Sequence, residues 1–217
     1  MDSKITVIDY GIGNIFSVCN AIKQIGGVPV VSREPEIITG SDRVILPGVG
    51  AFGKAVKTLD QLNLIEPIKA FIKTERPFLG ICIGMQLLFD SSNEFGEFEG
   101  LGIVPGAVEQ IPGTAVNGQN LRVPHISWSA PFSPENREYD PEKQFLFSPE
   151  RFGKSSYYFV HSFAAKPSNK ESISSHVEYG GHNVTASITH NNVFGVQFHP
   201  ERSGLAGQNL LTRFLSI

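Results

Sequence analysis

The sequence predicts an α/β fold, a doubly wound and mostly parallel sheet with an antiparallel or mixed β half packed on it. Three observations carry this. Short apolar runs alternate with amphipathic stretches over the first ninety residues, the pattern of strands buried on both faces and joined by helices. After Phe89 the pattern changes to short strand-like runs separated by turn signals such as Asn117-Gly118, Gly180-Gly181 and Asn191-Asn192. The 217 residues are ample for one full core and ordinary in length for one domain.

Composition narrows the function classes. Eighteen Lys and Arg against 21 Asp and Glu leave a net charge of −3, which gives no reason to expect nucleic acid or an anionic membrane as partner. No apolar run approaches the ~20 residues of a membrane span. Met1-Asp2-Ser3-Lys4-Ile5 opens straight into a strand without a signal-peptide pattern. Cys19 and Cys82 are far apart, which suits a reducing cytoplasm better than a disulfide framework.

The elements follow in order. Ile5 to Ile8 reads as a central strand. Asn14 then caps a helix running to about Ile25, with Val18, Ile22 and Ile25 on one face and Gly26-Gly27 closing it. Gly11 and Gly13 follow a strand, but Phe16 stands where a dinucleotide fingerprint needs its third glycine, so that reading fails. Val28–Val31 and Val44–Leu46 are the next strands. Helices are expected over Lys54–Leu59 and Ile65–Thr74, with Pro67 tolerated near the start of the second. Asn93–Gly102 reads as an acidic loop. Val104, Val108, Leu121–Val123, Tyr157–Phe163, Ile173–Tyr179, Val184–Ile188 and Val193–Phe198 read as strands. Pro131–Glu142 reads as an exposed loop and Leu205–Ile217 as a closing helix facing inward with Leu210, Leu211 and Phe214.

Phe78-Leu79-Gly80-Ile81-Cys82-Ile83-Gly84 is the most informative stretch. A lone cysteine is ordinarily a buried structural residue. Here an apolar strand runs into a cysteine between two glycines, and a further apolar segment follows. That is the cysteine form of a nucleophile elbow, with the helix beginning near Gly84 placing its positive end at the sulfur. The glycine-bearing loop Pro47–Gly53 is then a candidate oxyanion hole. Val49 and Gly50 would supply one backbone donor and the N–H of Ile83 the other.

Gly195-Val196-Gln197-Phe198-His199-Pro200-Glu201 supplies the second half. In an extended chain residues two apart face the same way, and Pro200 biases His199 towards that conformation. Glu201 can therefore hold one ring nitrogen of His199 while the other faces Cys82, giving nucleophile, base and orienter. His125, His161, His176, His182 and His190 show no zinc-ligand spacing, so neither metal nor cofactor is expected.

Gly80-Ile81-Cys82-Ile83-Gly84-Met85-Gln86 with Phe198-His199-Pro200-Glu201 resembles the triad (class I) glutamine amidotransferases. Ile8 to Asn14, Leu46 to Phe52 and Tyr158 to Ser162 resemble more narrowly the glutaminase subunits of imidazole glycerol phosphate synthases. The likeness covers nearly the whole chain, read as one domain over 1–217. It implies glutamine hydrolysis through a γ-glutamyl thioester on Cys82, with ammonia passed to a barrel-shaped, (β/α)8-type synthase subunit in a cytoplasmic heterodimer. It also implies that Gln86 and backbone groups of His161, Ser162 and Phe163 hold glutamine, and that the Val49-Gly50 loop rearranges when the synthase is loaded.

Some positions depart from the family pattern. Ser127 and Ser129 stand where Gly and Asn are usual at the partner face, Phe163 where Tyr is common, and Arg202 where Lys is usual. Ser129–Ser156 is longer than usual. These departures motivate a second enzyme reading, a paralogue supplying ammonia for sugar amidination in surface-polysaccharide synthesis. A non-catalytic module would lack a triad residue, and none is lacking. A free-standing cysteine hydrolase fits the Pro47–Gly50 loop poorly.

Overall fold

The computed structural model describes residues 4–134, 146–147 and 154–217. The chain runs β1 (Ile5–Ile8), α1 (Ile15–Gln24), β2 (Pro29–Ser32), α2 (Pro35–Thr39), β3 (Arg43–Leu46), α3 (Phe52–Gln61), α4 (Ile65–Ile72), β4 (Phe78–Ile81) and α5 (Ile83–Gln86). It continues through β5 (Phe89–Ser92), β6 (Phe98–Glu99), β7 (Val104–Gln110), β8 (His125–Ser129), β9 (Tyr157–His161) and β10 (Phe163–Pro167). It closes with β11 (Ile173–Tyr179), β12 (His182–His190), β13 (Val193–Val196) and α6 (Gly204–Leu215).

Seven strands form the main sheet in the order β11-β12-β13-β4-β3-β1-β2. From β13 to β2 the pairs are parallel, and β12 and β11 add antiparallel. β1, β4 and β13 are buried along their whole length, which is why they read as unbroken apolar runs. A four-stranded sheet, β10-β7-β5-β6, and the pair β8-β9 make up the β half. α1 begins as expected, with the Asn14 side chain accepting from the Ser17 N–H at 3.3 Å, and buries Val18, Cys19, Ala21 and Ile22. α6 buries Leu210, Leu211 and Phe214.

Several expectations are corrected. α2 is a helix that sequence periodicity cannot reveal in five residues, although Pro35 at its start is a good first-turn residue. Asn93–Gly102 is not all loop, because β6 lies within it. β5 precedes it and takes the end of the apolar run into the second sheet. Leu121–Val123 forms no strand. Its Leu121 N–H turns to the Gly113 carbonyl at 2.9 Å, and Pro124 lacks an N–H. Tyr157–Phe163 is two strands, broken at Ser162 so that β9 pairs with β8 and β10 with β7. The loop after β3 is shorter than expected, because Phe52 and Gly53 already belong to α3. Beyond Pro134, the expected Pro131–Glu142 loop lies outside the described residues, as does most of Ser129–Ser156.

Candidate active site

Cys82 sits at the carboxyl end of β4, between β13 and β3. Its N–H donates to the Val196 carbonyl at 2.7 Å, and its φ of 54° is a conformation that few residues other than glycine adopt. A Cβ on Gly84 would collide with the Leu46 carbonyl oxygen, so only glycine lets the elbow pack against β3. The helix expected to begin near Gly84 begins at Ile83 and is a single turn, α5, so little helix dipole stands behind the sulfur.

His199 follows β13. Its N–H donates to the Tyr158 carbonyl at 2.9 Å, and the Ser203 hydroxyl, which accepts from the Tyr158 N–H, donates to the His199 carbonyl. The backbone of the histidine is thus held by β9. Its Nδ1 lies 2.8 Å from Glu201 Oε1, and the two side chains are 4% and 2% exposed. Nε2 is buried without a hydrogen-bond partner and lines the same cavity as Cys82. Burial by itself pulls the imidazole pKa down, but Cys82 and Glu201 together outweigh it and lift the value to about 10. The pair therefore favours an imidazolium beside the sulfur.

The cavity measures about 270 Å³. Val49, Gly50, Cys82, Ile83, Gln86, His161, Ser162, Phe163 and His199 all line it, and Glu201 stands behind His199. All the residues singled out in the sequence thus lie at one place. Gly50 has φ +93°, a conformation that favours glycine, and open space where a side chain would be.

Three residues were not foreseen. Glu94, 8% exposed, lines the cavity and accepts from the Phe52 N–H at 2.6 Å, capping α3. Only its place in an acidic stretch marked it. Tyr10 is buried against the Pro47-Gly48 turn with an unpartnered hydroxyl, and burial and the charge of Cys82 raise its pKa. Gln197 is fully buried beside the nucleophile.

A file of hydrogen bonds runs from β8 to the cavity. His161 Nδ1 donates to the Phe163 carbonyl at 2.9 Å. Burial, with the nearby charges of His125 and His199, outweighs that hydrogen bond and holds the His161 pKa down at about 3, so its Nε2 accepts. The donor is His125 Nδ1 at 3.2 Å. Burial likewise lowers His125, so its Nε2 accepts from the Ser127 hydroxyl at 2.6 Å, and Ser127 accepts from Ser129 at 2.6 Å. Ile126 and Trp128 point the other way, each 58% exposed. Trp128 is therefore not core. Its ring lies 5.9 Å from that of Tyr158, over which Arg202 stacks.

The histidines set a pH signature for stability. His199, raised to about 10 from 6.5, contributes stability that is fully present below 6.5 and lost as pH rises towards 10. His161, depressed to about 3 from 6.5, loses stability as pH falls from 6.5 towards 3. Thermal unfolding across this range is expected to give its highest midpoint near the ordinary histidine value. In Glu201→Gln the alkaline limb should flatten; an unchanged alkaline slope in that variant would contradict the assignment.

Residues 6–217 match the family described as glutamine amidotransferase class-I. The chain belongs to the class-I glutamine amidotransferase family. Among its curated relatives, imidazole glycerol phosphate synthase subunit HisH 1 of Legionella pneumophila (strain Lens) is 42% identical, over 99% of this chain and 100% of that protein. Subunit HisH of Geobacter metallireducens is 39% identical over 98% and 97%. The chloroplastic imidazole glycerol phosphate synthase hisHF of Arabidopsis thaliana is 43% identical over 99% of this chain but only 34% of its own length. Among solved structures, PurLQS from Thermotoga maritima superposes with a TM-score of 0.70 at 19% identity, covering 100% of this chain and 99% of that one. That likeness carries the class-I amidotransferase fold. Among the described residues no helix is long and apolar enough to cross a membrane, and no group of three His, Cys, Asp or Glu could hold a metal ion.

Proposed function

We propose that this chain hydrolyses glutamine to glutamate and ammonia and delivers the ammonia to a synthase subunit. That subunit makes imidazole glycerol phosphate and an aminoimidazole carboxamide nucleotide in histidine biosynthesis. The observation that supports the chemistry is the meeting of a strained Cys82 and a Glu201-backed His199 in one small cavity. Relatives at about 40% identity over nearly the full length carry the synthase-subunit name, which supports the pathway.

The reaction follows from the geometry. Cys82 Sγ attacks the side-chain amide carbon of glutamine. The oxyanion is held by the N–H of Ile83 and the Val49-Gly50 loop. His199 then protonates the leaving nitrogen, ammonia departs and a γ-glutamyl thioester remains. Forming the thioester removes the sulfur charge that helped to raise His199, so its proton is surrendered at the step that needs it. The now neutral imidazole takes a proton from water, which attacks the thioester and releases glutamate and the thiolate. Glu94, the one carboxylate lining the cavity among the described residues, suits the ammonium group of glutamine, and the unpartnered Gln86 Oε1 suits an N–H donor.

The partner is a (β/α)8-barrel synthase in a cytoplasmic heterodimer, seated on the face that carries Trp128. The glycine conformation and open space at Gly50 suit an oxyanion donor that is completed only on assembly. A missing donor of this kind costs about 10²–10³ in turnover. The chain alone is therefore expected to be a slow glutaminase that accelerates by that order when a histidine-pathway synthase and its nucleotide acceptor are added. No acceleration there, with acceleration by a sugar-amidinating synthase instead, would establish the surface-polysaccharide paralogue that Ser127 and Ser129 motivate.

A further inference from the structure

We propose that Gln197 is a positioning residue for the nucleophile: its side-chain amide, held in one orientation by Gln86, donates a hydrogen bond to Cys82 Sγ and stabilises the thiolate. Gln197 follows β13 directly, and its backbone N–H is fixed on the Ala186 carbonyl at 2.9 Å. Its side chain is fully buried. Which end of the amide faces the sulfur is settled by its neighbour. Gln86 Nε2 donates one proton to the Phe163 carbonyl at 2.9 Å and the other to Gln197 Oε1 at 2.9 Å. With its oxygen committed to Gln86, Gln197 can present only Nε2 to the sulfur, and Nε2 lies 3.6 Å from Sγ. A buried amide N–H aimed at a sulfur stabilises its anionic form, because hydrogen bonds to charged groups are the strong ones.

The role differs from that of His199, which accepts and returns a proton. Gln197 never changes protonation state and serves both halves of the reaction, before attack and when the thiolate leaves. The titratable groups around the sulfur are His199 with Glu201 behind it, Tyr10 from the turn after β1, Glu94 across the cavity, and the His161–His125 pair beyond Gln86. None of these is removed by substituting Gln197, and Gln197→Met adds no charge beside them.

The inference rests on Cys82 being the nucleophile, and its test reads the sulfur directly. Cys82 alkylation by iodoacetamide is followed against pH, with peptide mapping to separate it from Cys19, the other free cysteine among the described residues. Gln197→Glu keeps the acceptor for Gln86 and replaces the donor by a carboxylate. Gln197→Met keeps the length and removes both. In each, alkylation at neutral pH is expected to slow about tenfold, the loss of one hydrogen bond to a charged group, and the pH profile to move upward. In Gln197→Glu, which keeps the acceptor for Gln86, turnover of glutamine falls with it while KM stays within about a factor of two, the mark of an interaction that does not hold substrate. Should the glutamate variant fail to fold, the methionine variant decides. An unchanged alkylation profile in a cooperatively folded Gln197→Met, or a raised KM at unchanged kcat in Gln197→Glu, overturns the proposal. A Cys82 that reacts no faster than Cys19 in the unsubstituted chain overturns the nucleophile reading and this one with it.

Discussion

Replacing Cys82 with alanine is expected to lower glutamine-dependent synthesis by the assembled enzyme about 10⁴-fold or more, the scale on which loss of a nucleophile from a catalytic unit is felt. Synthesis from added ammonium salt should continue at its ordinary rate, because the sulfur acts only in releasing ammonia. The fold should survive, since alanine removes one buried sulfur and leaves the Cys82 N–H on the Val196 carbonyl. The two substrates, compared in one assembly, isolate the chemistry from the structure. Normal turnover of glutamine by the variant would end the assignment of Cys82.

His199→Asn is expected to be nearly as damaging, because nucleophile and base act as a unit and their losses are not additive. Glu201→Gln should cost less, about 10²-fold, the scale of impaired proton transfer rather than its loss. The glutamine side chain can still accept from Nδ1, but it takes away one of the charges that hold the imidazole protonated at about 10. The activity profile of this variant should therefore show its histidine limb at lower pH. Steady-state rates of the three variants against pH test the order, and a Glu201→Gln enzyme slower than His199→Asn would reverse the roles given to the pair.

Local chemistry made much of this legible in the sequence. The glycines around Cys82 act on their immediate neighbours, and Pro200 leaves His199 extended as expected, but Glu201 reaches Nδ1 from a 3-10 turn over Pro200–Arg202 and not from an extended chain. Asn14 and the strand-and-helix alternation before it and after it are legible for the same reason. What stayed hidden depends on remote partners. Leu87 to Phe89 is apolar on every side, and only pairing with β7 decides that it ends in a strand rather than extending α5. Glu94 looked like one acid in a loop of acids, because its partner, the Phe52 N–H, is 42 residues away. Gln197 depends on Gln86, 111 residues away, to set the direction of its amide. Trp128 lies with Ile126 on the outer side of β8, and that side is set by the pairing of β8 with β9 across the chain.

The file that starts at Ser129 ties one face of β8 to the cavity through two serines. His125 Nε2 needs a donor, and Ser127 supplies it; Ser127 has an acceptor to fill, and Ser129 fills it. A glycine at 127 would leave His125 without its donor and Ser129 without its acceptor, so the place of Ser129 in the file depends on Ser127. Ser127 and Ser129 are thus one hydrogen-bonded unit on the side of β8 that faces the cavity, and a change at 127 is felt at both of its neighbours.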